Sequence, residues 1–408
     1  MKQQPLGPKL VFVNRFFFPD HSATSQLLSD LCFDLAASDL KVHVVTSRQR
    51  YEEPFAGMLS EEVVRGVKVH RVWTSTFGRN NLFGRTIDYI SFYMSAGLKI
   101  FALTRRGDTI VAKTDPPLIS VVAAFVARMR AARLVNWIQD VFPEVAVALG
   151  INGLQGPLDR ALRYLRDLSL RRADVNVALG EGMAEYLAQN GAANVKVIHN
   201  WADDETLVPI RPEQNRLRTE WGLASKFVVG YSGNMGRAHE FETILDAALE
   251  LKSQTDIVFL FIGGGNRMSS IQKGADRRHL GQIMFRHYQA REALAESLSA
   301  ADVHLISLRP EAERFIVPSK LYGIAAAGRP IVFIGDPQGE IGKIVRSSNC
   351  GAALRPGDSS GLARLLLDLR DDADLRREWG ANARRLIEEK CSRKRAISLW
   401  RNVLTAPV

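Results

Sequence analysis

The chain has 408 residues, 46% hydrophobic and 24% charged, an ordinary globular composition in a length too great for one hydrophobic core. Its 54 Lys and Arg exceed its 44 Asp and Glu by a net +10, an excess that attracts anionic partners. The three cysteines, Cys32, Cys350 and Cys391, stand apart from one another and from any Cys/His cluster, which excludes a disulfide framework and a cysteine zinc site and points to a reducing, cytoplasmic compartment.

Short β-branched runs alternate with longer helical stretches along the whole chain. Strands are expected over 10–13, 42–46, 67–72, 109–112, 134–138, 175–178 and 195–198. A second series is expected over 227–231, 257–262, 283–286, 303–307, 331–334 and 351–354. Strands separated by helical segments imply parallel sheets with crossover helices, so the fold class is α/β with two Rossmann-like halves. Between the series, residues 203–222 are polar, with Pro209 and Pro212, and mark the domain boundary. Ligands of such sheets bind off the carboxyl ends of the strands, and with two halves the expected site is the cleft that they face.

The polar start of the chain, residues 1–9, carries no secretory signal, and the apolar stretch 118–127 is too short to span a bilayer. The stretch 87–103 is longer but holds Asp88 and Lys99. Basic residues crowd the first half at Arg79, Arg85, Arg105, Arg106, Arg128, Arg130, Arg133, Arg160, Arg163, Arg166, Arg171 and Arg172. Apolar and aromatic residues interleave with them, among them Leu82, Phe83, Tyr89, Phe92 and Tyr93. Two readings fit this pattern: solvated helix faces, or a surface that meets an anionic membrane. Nucleic acid is not an expected partner, because no recognition motif accompanies the charge.

The second half opens with a strand and a glycine-rich turn, Tyr231-Ser-Gly-Asn-Met-Gly-Arg237. Gly233 and Gly236 flank Asn234 and let the backbone approach a ligand, and Arg237 offers a phosphate-competent fork. The turn is not G-x-G-x-x-G, and a nicotinamide site has little support. A second turn, Phe261-Ile-Gly-Gly-Gly-Asn266, also follows a strand and puts Gly264 and Gly265 at its end. Further on, Val317-Pro-Ser-Lys-Leu-Tyr-Gly-Ile-Ala-Ala-Ala-Gly-Arg-Pro330 reads as a helix that starts near Ser319 and stops at Gly328. Lys320 there adds a cation to backbone N–H groups that already favour anions, and Glu313 stands a few residues upstream. No Walker A loop is present. The acidic run Asp371-Asp-Ala-Asp374 is helix-cap chemistry rather than a metal site.

Taken together, these motifs resemble the family 4 retaining glycosyltransferases of GT-B architecture, within the bacterial branch that builds O-antigen, capsule and exopolysaccharide repeat units. The likeness includes Phe18-Pro-Asp20 with Ser22-Ala-Thr24, Thr114-Asp-Pro-Pro117, Trp137-Ile-Gln-Asp-Val-Phe-Pro-Glu144 and His199-Asn-Trp201, besides the glycine turn and the Ser319-Lys320 helix. The resemblance implies an acceptor-binding domain over 1–202, a nucleotide-sugar-binding domain over 203–385 and a C-terminal helix over 386–408 that packs back on the first. It implies transfer of a hexosyl or N-acetylhexosaminyl group from a nucleotide diphosphate sugar, UDP favoured, to a polyprenyl-diphosphate-linked saccharide at the inner face of the cytoplasmic membrane. Neither cofactor nor metal is implied.

By the same resemblance Gly233, Asn234, Gly236, Arg237, Ser319 and Lys320 hold the donor diphosphate, and Gly264, Gly265, His287, Tyr288, Gln289 and Gly323 border the base and ribose. Asp20 and His21 belong to the acceptor site, and Asp140 and Glu313 are the catalytic candidates. The family's two motif carboxylates fall at Phe315 and Gly323 here, so Glu313 is the nearest replacement for the first and Glu340 a candidate for the second. The alternatives are a sugar-nucleotide 2-epimerase of the same architecture and a non-catalytic nucleotide-sugar-binding partner.

Overall fold

The computed structural model describes residues 7–50, 57–78, 82–151 and 156–406. Arg79 of the basic series lies outside them. The chain divides into two compact units, Met1–His199 with Ile397–Val408, and Asn200–Ala396.

The first unit is built on β1 (Lys9–Val13), β2 (Lys41–Ser47), β3 (Glu61–Val64), β4 (Val67–Val72), β5 (Thr109–Lys113), β6 (Arg133–Trp137), β7 (Val175–Ala178) and β8 (Val195–Val197). Their order across the sheet is β3-β4-β2-β1-β5-β6-β7-β8. Every pairing is parallel except β3 with β4. Strands covered on both faces are mostly apolar, and β5 is buried at every position. Val11, Val13, Ile110 and Ala112 pack with Phe92, Ala96 and Ile100 of the helix Leu82–Leu103 and Ala123 of the helix Ile119–Arg130. The sequence reading missed β3. It is a partly exposed edge strand, Glu-Glu-Val-Val, joined to β4 by Arg65 and Gly66, whose φ values are +48° and +83°. Two left-handed residues form a tight hairpin turn that an Arg-Gly pair advertises less clearly than Asn-Gly.

From Ile397 onward the last helix (Arg393–Thr405) belongs to this first unit. Fully buried Trp400 packs against fully buried Trp137, with ring centroids 4.6 Å apart and the planes tilted by 53°. Arg401 Nη2 donates to Asp34 Oδ1 at 2.5 Å.

The second unit carries β9 (Phe227–Asn234), β10 (Ile257–Gly264), β11 (Ile283–Arg286), β12 (Val303–Ser307), β13 (Ile331–Ile334) and β14 (Gly351–Leu354) in the order β11-β10-β9-β12-β13-β14. All of its pairings are parallel. Segment 203–222, read from sequence as the boundary, falls inside this unit. Asn215 caps the helix Arg216–Glu220 through the Arg218 N–H, and buried Arg218 pairs with Asp302 at 3.0 Å. Asp372 likewise caps the helix Ala373–Leu386 by accepting from Leu375 N, which accounts for the acidic run there.

Each sheet has one place where strand order reverses: between β1 and β5 in the first unit, between β9 and β12 in the second. Loops leaving the strands at such a reversal diverge and open a crevice at the carboxyl edge.

Candidate active site

In the second unit β9 and β10 run side by side to their ends, pairing Gly233 with Gly263 and Asn234 with Gly264. Gly263 has φ +137°, and a Cβ there would lie 2.2 Å from the Gly233 carbonyl oxygen. At Gly265, φ +131°, it would lie 2.4 Å from Asn234 Oδ1. Only glycine fits either position, and the result is two strand-end turns locked together. The Met235 N–H donates to Gly264 O at 2.7 Å, and the Arg267 N–H to Met235 O at 3.0 Å. Arg237 follows as an exposed guanidinium with no ion pair among the described residues. Tyr288 is exposed beside Gly264, and Gln289 Nε2 donates to the carbonyl of exposed His287 at 2.9 Å.

The helix read as running to Gly328 is shorter, Lys320–Ala326, with exposed Ser319 at its start making no side-chain cap. Lys320 is drawn across to β9. Its Nζ donates to the Tyr231 hydroxyl at 2.6 Å and to Asn234 O at 3.3 Å, and stands 4.0 Å from the centre of the Tyr231 ring. Burial lowers its ammonium to about 7, although part of the side chain remains exposed. His239, which sequence reasoning passed over, lies beside the same ring. Its Nδ1 donates to Ser307 O at 2.5 Å, and burial, then the Lys320 charge, lowers it to about 3. Gly233, Asn234, Gly236, Arg237, Lys320 and the Gly264–Gly265 turn therefore gather at the β9/β12 reversal.

Glu313 is placed differently from the open carboxylate expected. It is 8% exposed, its Oε1 accepts the Asp336 N–H at 2.9 Å, and buried Oε2 has no partner. The carboxyl fills the space a side chain at Gly335 or Gly339 would need. Desolvation raises it to about 7, against the pull of the Asp336 N–H. The loop it supports leads to half-exposed Glu340, first residue of the helix Glu340–Ser347. Gly323 is half-buried, and a Cβ there would meet Leu298 Cδ1 at 3.4 Å.

In the first unit Thr114 Oγ1 accepts the N–H groups of Gln139 at 2.9 Å and Asp140 at 3.4 Å, so the loop after β5 holds the loop after β6. Asp140 has an exposed side chain but lines a pocket with Thr114, Pro117, Ile138 and Phe142. Desolvation in that crowded surround, with the Asp115 charge adding to it and Lys113 opposing, raises its carboxyl to about 6. Lys113 itself, missed as the last residue of an apolar strand, is buried. Its Nζ donates to Thr24 O at 2.8 Å over the Trp137 ring, and burial lowers it far below the usual lysine range. Asp20 is buried, and its Oδ1 accepts the N–H of Ser22 at 2.8 Å and its hydroxyl at 2.5 Å. A short Asp side chain reaches the N–H two residues on, so Asp20 shapes this turn. His21 is exposed, its carbonyl accepting from Gln26 Nε2 at 2.7 Å.

Part of the basic series also turns inward. Glu144, 3% exposed, receives two bonds from Arg166, at 2.6 and 3.0 Å, one from Arg163 at 2.6 Å and one from Tyr186 at 2.7 Å. Arg163 and Arg166 are thus a structural ion network and not surface charge. Arg130 donates through Nε and Nη2 to Phe101 O at 2.9 and 2.7 Å.

A "Glycosyl transferase 4-like domain" model matches residues 24–201, and a "Glycosyl transferases group 1" model matches residues 213–386. The chain is 30% identical to the Pseudomonas aeruginosa protein named "Probable glycosyltransferase WbjE" over 295 residues, 71% of this chain and 72% of that protein. It is 25% identical over 261 residues to WcaI of Escherichia coli (strain K12), provisionally named a colanic acid biosynthesis glycosyl transferase, covering 62% of this chain and 64% of that one. Among solved structures, Anabaena Alr3699/HepE in complex with UDP-glucose superposes with a TM-score of 0.75 at 16% identity, covering 98% of this chain and 100% of that one. Both units thus have the GT-B fold, and the chain belongs to the family 4 glycosyltransferases.

Proposed function

We propose that the protein is a retaining, metal-independent glycosyltransferase of cell-surface polysaccharide assembly, moving a hexosyl or N-acetylhexosaminyl group from a UDP-sugar to a lipid-linked saccharide. The observation that carries this reading is the cradle of the second unit, where unpaired Arg237, the Lys320 ammonium held on Tyr231 and the locked glycine turns come together. Charge-assisted bonds from these groups stabilise a departing diphosphate, the task a metal performs elsewhere. That HepE is described with UDP-glucose, and that WcaI is named for colanic acid, supports the donor and the polysaccharide setting.

In this reading the acceptor hydroxyl attacks the anomeric carbon from the face the phosphate leaves. The new C–O bond forms as the sugar–phosphate bond breaks, and the hydroxyl proton passes to the departing phosphate oxygen. Asp140 contacts the sugar or the acceptor hydroxyl. Glu313, buried as it is, acts as a positioning residue for the loop carrying Glu340, and Glu340 takes the ribose in place of a carboxylate at Gly323.

The protein works at the inner face of the cytoplasmic membrane. Supporting this, the helix Leu82–Leu103 exposes Phe83, Ile90, Met94 and Leu98, and the helix Ile119–Arg130 exposes Phe125 and Met129, with exposed Arg128 beside them. Among the described residues no helix is long and apolar enough to cross a membrane.

The test is a thermal-shift panel of UDP-, GDP- and dTDP-sugars followed by transfer assays with the stabilising donor, since a ligand of the folded state raises its melting point. A selective shift by UDP-sugars and acceptor-dependent transfer are expected. Formation of an epimer from donor alone would overturn the reading.

A further inference from the structure

Arg15 lies just past β1 at the β1/β5 reversal of the first unit, in no role described so far. Its backbone ties the crevice together: the N–H donates to Asp115 O at 2.6 Å, across to the loop after β5, and its carbonyl accepts from Ser47 N at 3.0 Å and Thr46 Oγ1 at 2.9 Å on the β2 side. The side chain is 5% exposed. It lies 5.2 Å from the ring centres of both Phe16 and Tyr89, and Nη2 donates to Gln49 Oε1 at 3.1 Å. Gln49 cannot turn away, because its amide is held by Ser75 O at 2.8 Å.

No carboxylate pairs with this guanidinium among the described residues. Its Nε is buried without a partner, while Nη1 is neither hydrogen-bonded nor sealed from solvent. A guanidinium largely withdrawn from water with no counter-ion among the described residues is costly, and cation–π contact with two rings offsets only part of that. A planar fork with one free edge, fixed at the crevice where such sheets take ligands, is a geometry suited to an anion.

We propose that Arg15 is the anion anchor of the acceptor site, receiving a phosphate oxygen of the acceptor's diphosphate through Nη1. This rests on the reading of the acceptor as a lipid-linked diphosphate, and it gives the first unit a phosphate site separate from the donor diphosphate site of the second. Phe16 and Tyr89 hold the guanidinium in place, and Gln49 fixes its rotation.

The experiment uses the full chain with saturating UDP, so that the second unit's diphosphate site is filled, and titrates geranyl diphosphate and inorganic pyrophosphate by calorimetry. The unmodified protein is expected to bind both. Arg15→Gln is expected to raise both dissociation constants at least tenfold with the UDP constant unchanged, and Arg15→Lys to lie between. Tighter binding of geranyl diphosphate than of pyrophosphate assigns the site to a lipid head group, and equal binding to phosphate alone. Circular dichroism and melting of each variant separate lost binding from lost fold, and Arg15→Lys serves if Arg15→Gln does not fold. Wild-type affinity in a folded Arg15 variant, or no diphosphate binding by a protein that binds UDP, overturns the site while leaving the donor reading intact. Failure to bind UDP instead defeats the donor reading.

Discussion

Lys320 reaches from the start of its helix to the end of β9, where its Nζ donates to the Tyr231 hydroxyl at 2.6 Å. The hydroxyl holds the ammonium beside the glycine turns, where desolvation lowers it to about 7.

A diphosphate beside Lys320 must raise that value, because it favours the charged form. UDP affinity should therefore fall as pH rises above 7, by up to about tenfold per pH unit, with proton uptake on binding at pH 8. Calorimetry in buffers of different ionisation enthalpy measures that uptake. Lys320→Met should weaken UDP by about 10- to 100-fold, the loss of one hydrogen bond to a charged group, and abolish the uptake. Equal proton uptake in the variant would assign it to another group.

Glu313 predicts a pH effect on stability. Its folded value, about 7, lies above the ordinary glutamate value, so between about 4.3 and 7 the folded state retains a proton that the unfolded chain has lost. Its contribution is complete below that window and is lost as pH rises through 7. Glu313→Gln keeps an oxygen for the Asp336 N–H and stays neutral. The variant should match the unmodified protein at pH 4 and be more stable at pH 8, by at most about 4 kcal/mol in urea unfolding. A variant less stable at pH 8 would show that the carboxylate form is the one the fold prefers.

Asp140, raised to about 6, should give transfer an acid limb: kcat rises with pH through about 6 as the carboxylate ionises. Asp140→Asn should lower kcat by about 100-fold or more and leave UDP binding unchanged. A variant with full kcat would remove Asp140 from the chemistry.

Glu144 neutralises Arg166 and Arg163 in the interior. Glu144→Ala strips the buried Arg166 guanidinium of its two-pronged carboxylate, leaving it Asp167 at 2.6 Å, and should cost up to about 3–5 kcal/mol of stability. Denaturant unfolding measures this, and a loss below about 1 kcal/mol would mean that water reaches the network.

The exposed stripe Ile90, Met94 and Leu98 predicts membrane contact. Met94→Asp with Leu98→Asp should release the protein from anionic vesicles, whereas added salt should weaken binding of the unmodified chain only in part, since screening leaves apolar burial intact. Unaltered vesicle binding would place the contact elsewhere.

Most strands were legible because central strands of a parallel sheet are covered on both faces and are mostly apolar, as β5, β12 and β13, buried at every position, are. Edge strand β3 escaped because one open face admits Glu61 and Glu62. The glycine turns were legible because close backbone approach needs glycine, a local requirement written at Gly263 and Gly265.

The direction of each charged side chain was not legible, because it depends on partners far away in the chain. Glu313 turns inward because Gly335 and Gly339 leave room and the Asp336 N–H waits there. Arg163 and Arg166 leave the surface because Glu144, 19 and 22 residues earlier on another helix, lies buried beside them. By itself the sequence determined the α/β class, the central strands and the glycine turns, since these follow from periodicity and backbone sterics. Only the tertiary structure decided which carboxylates and cations stay open to a ligand, since burial and pairing depend on what distant segments bring alongside.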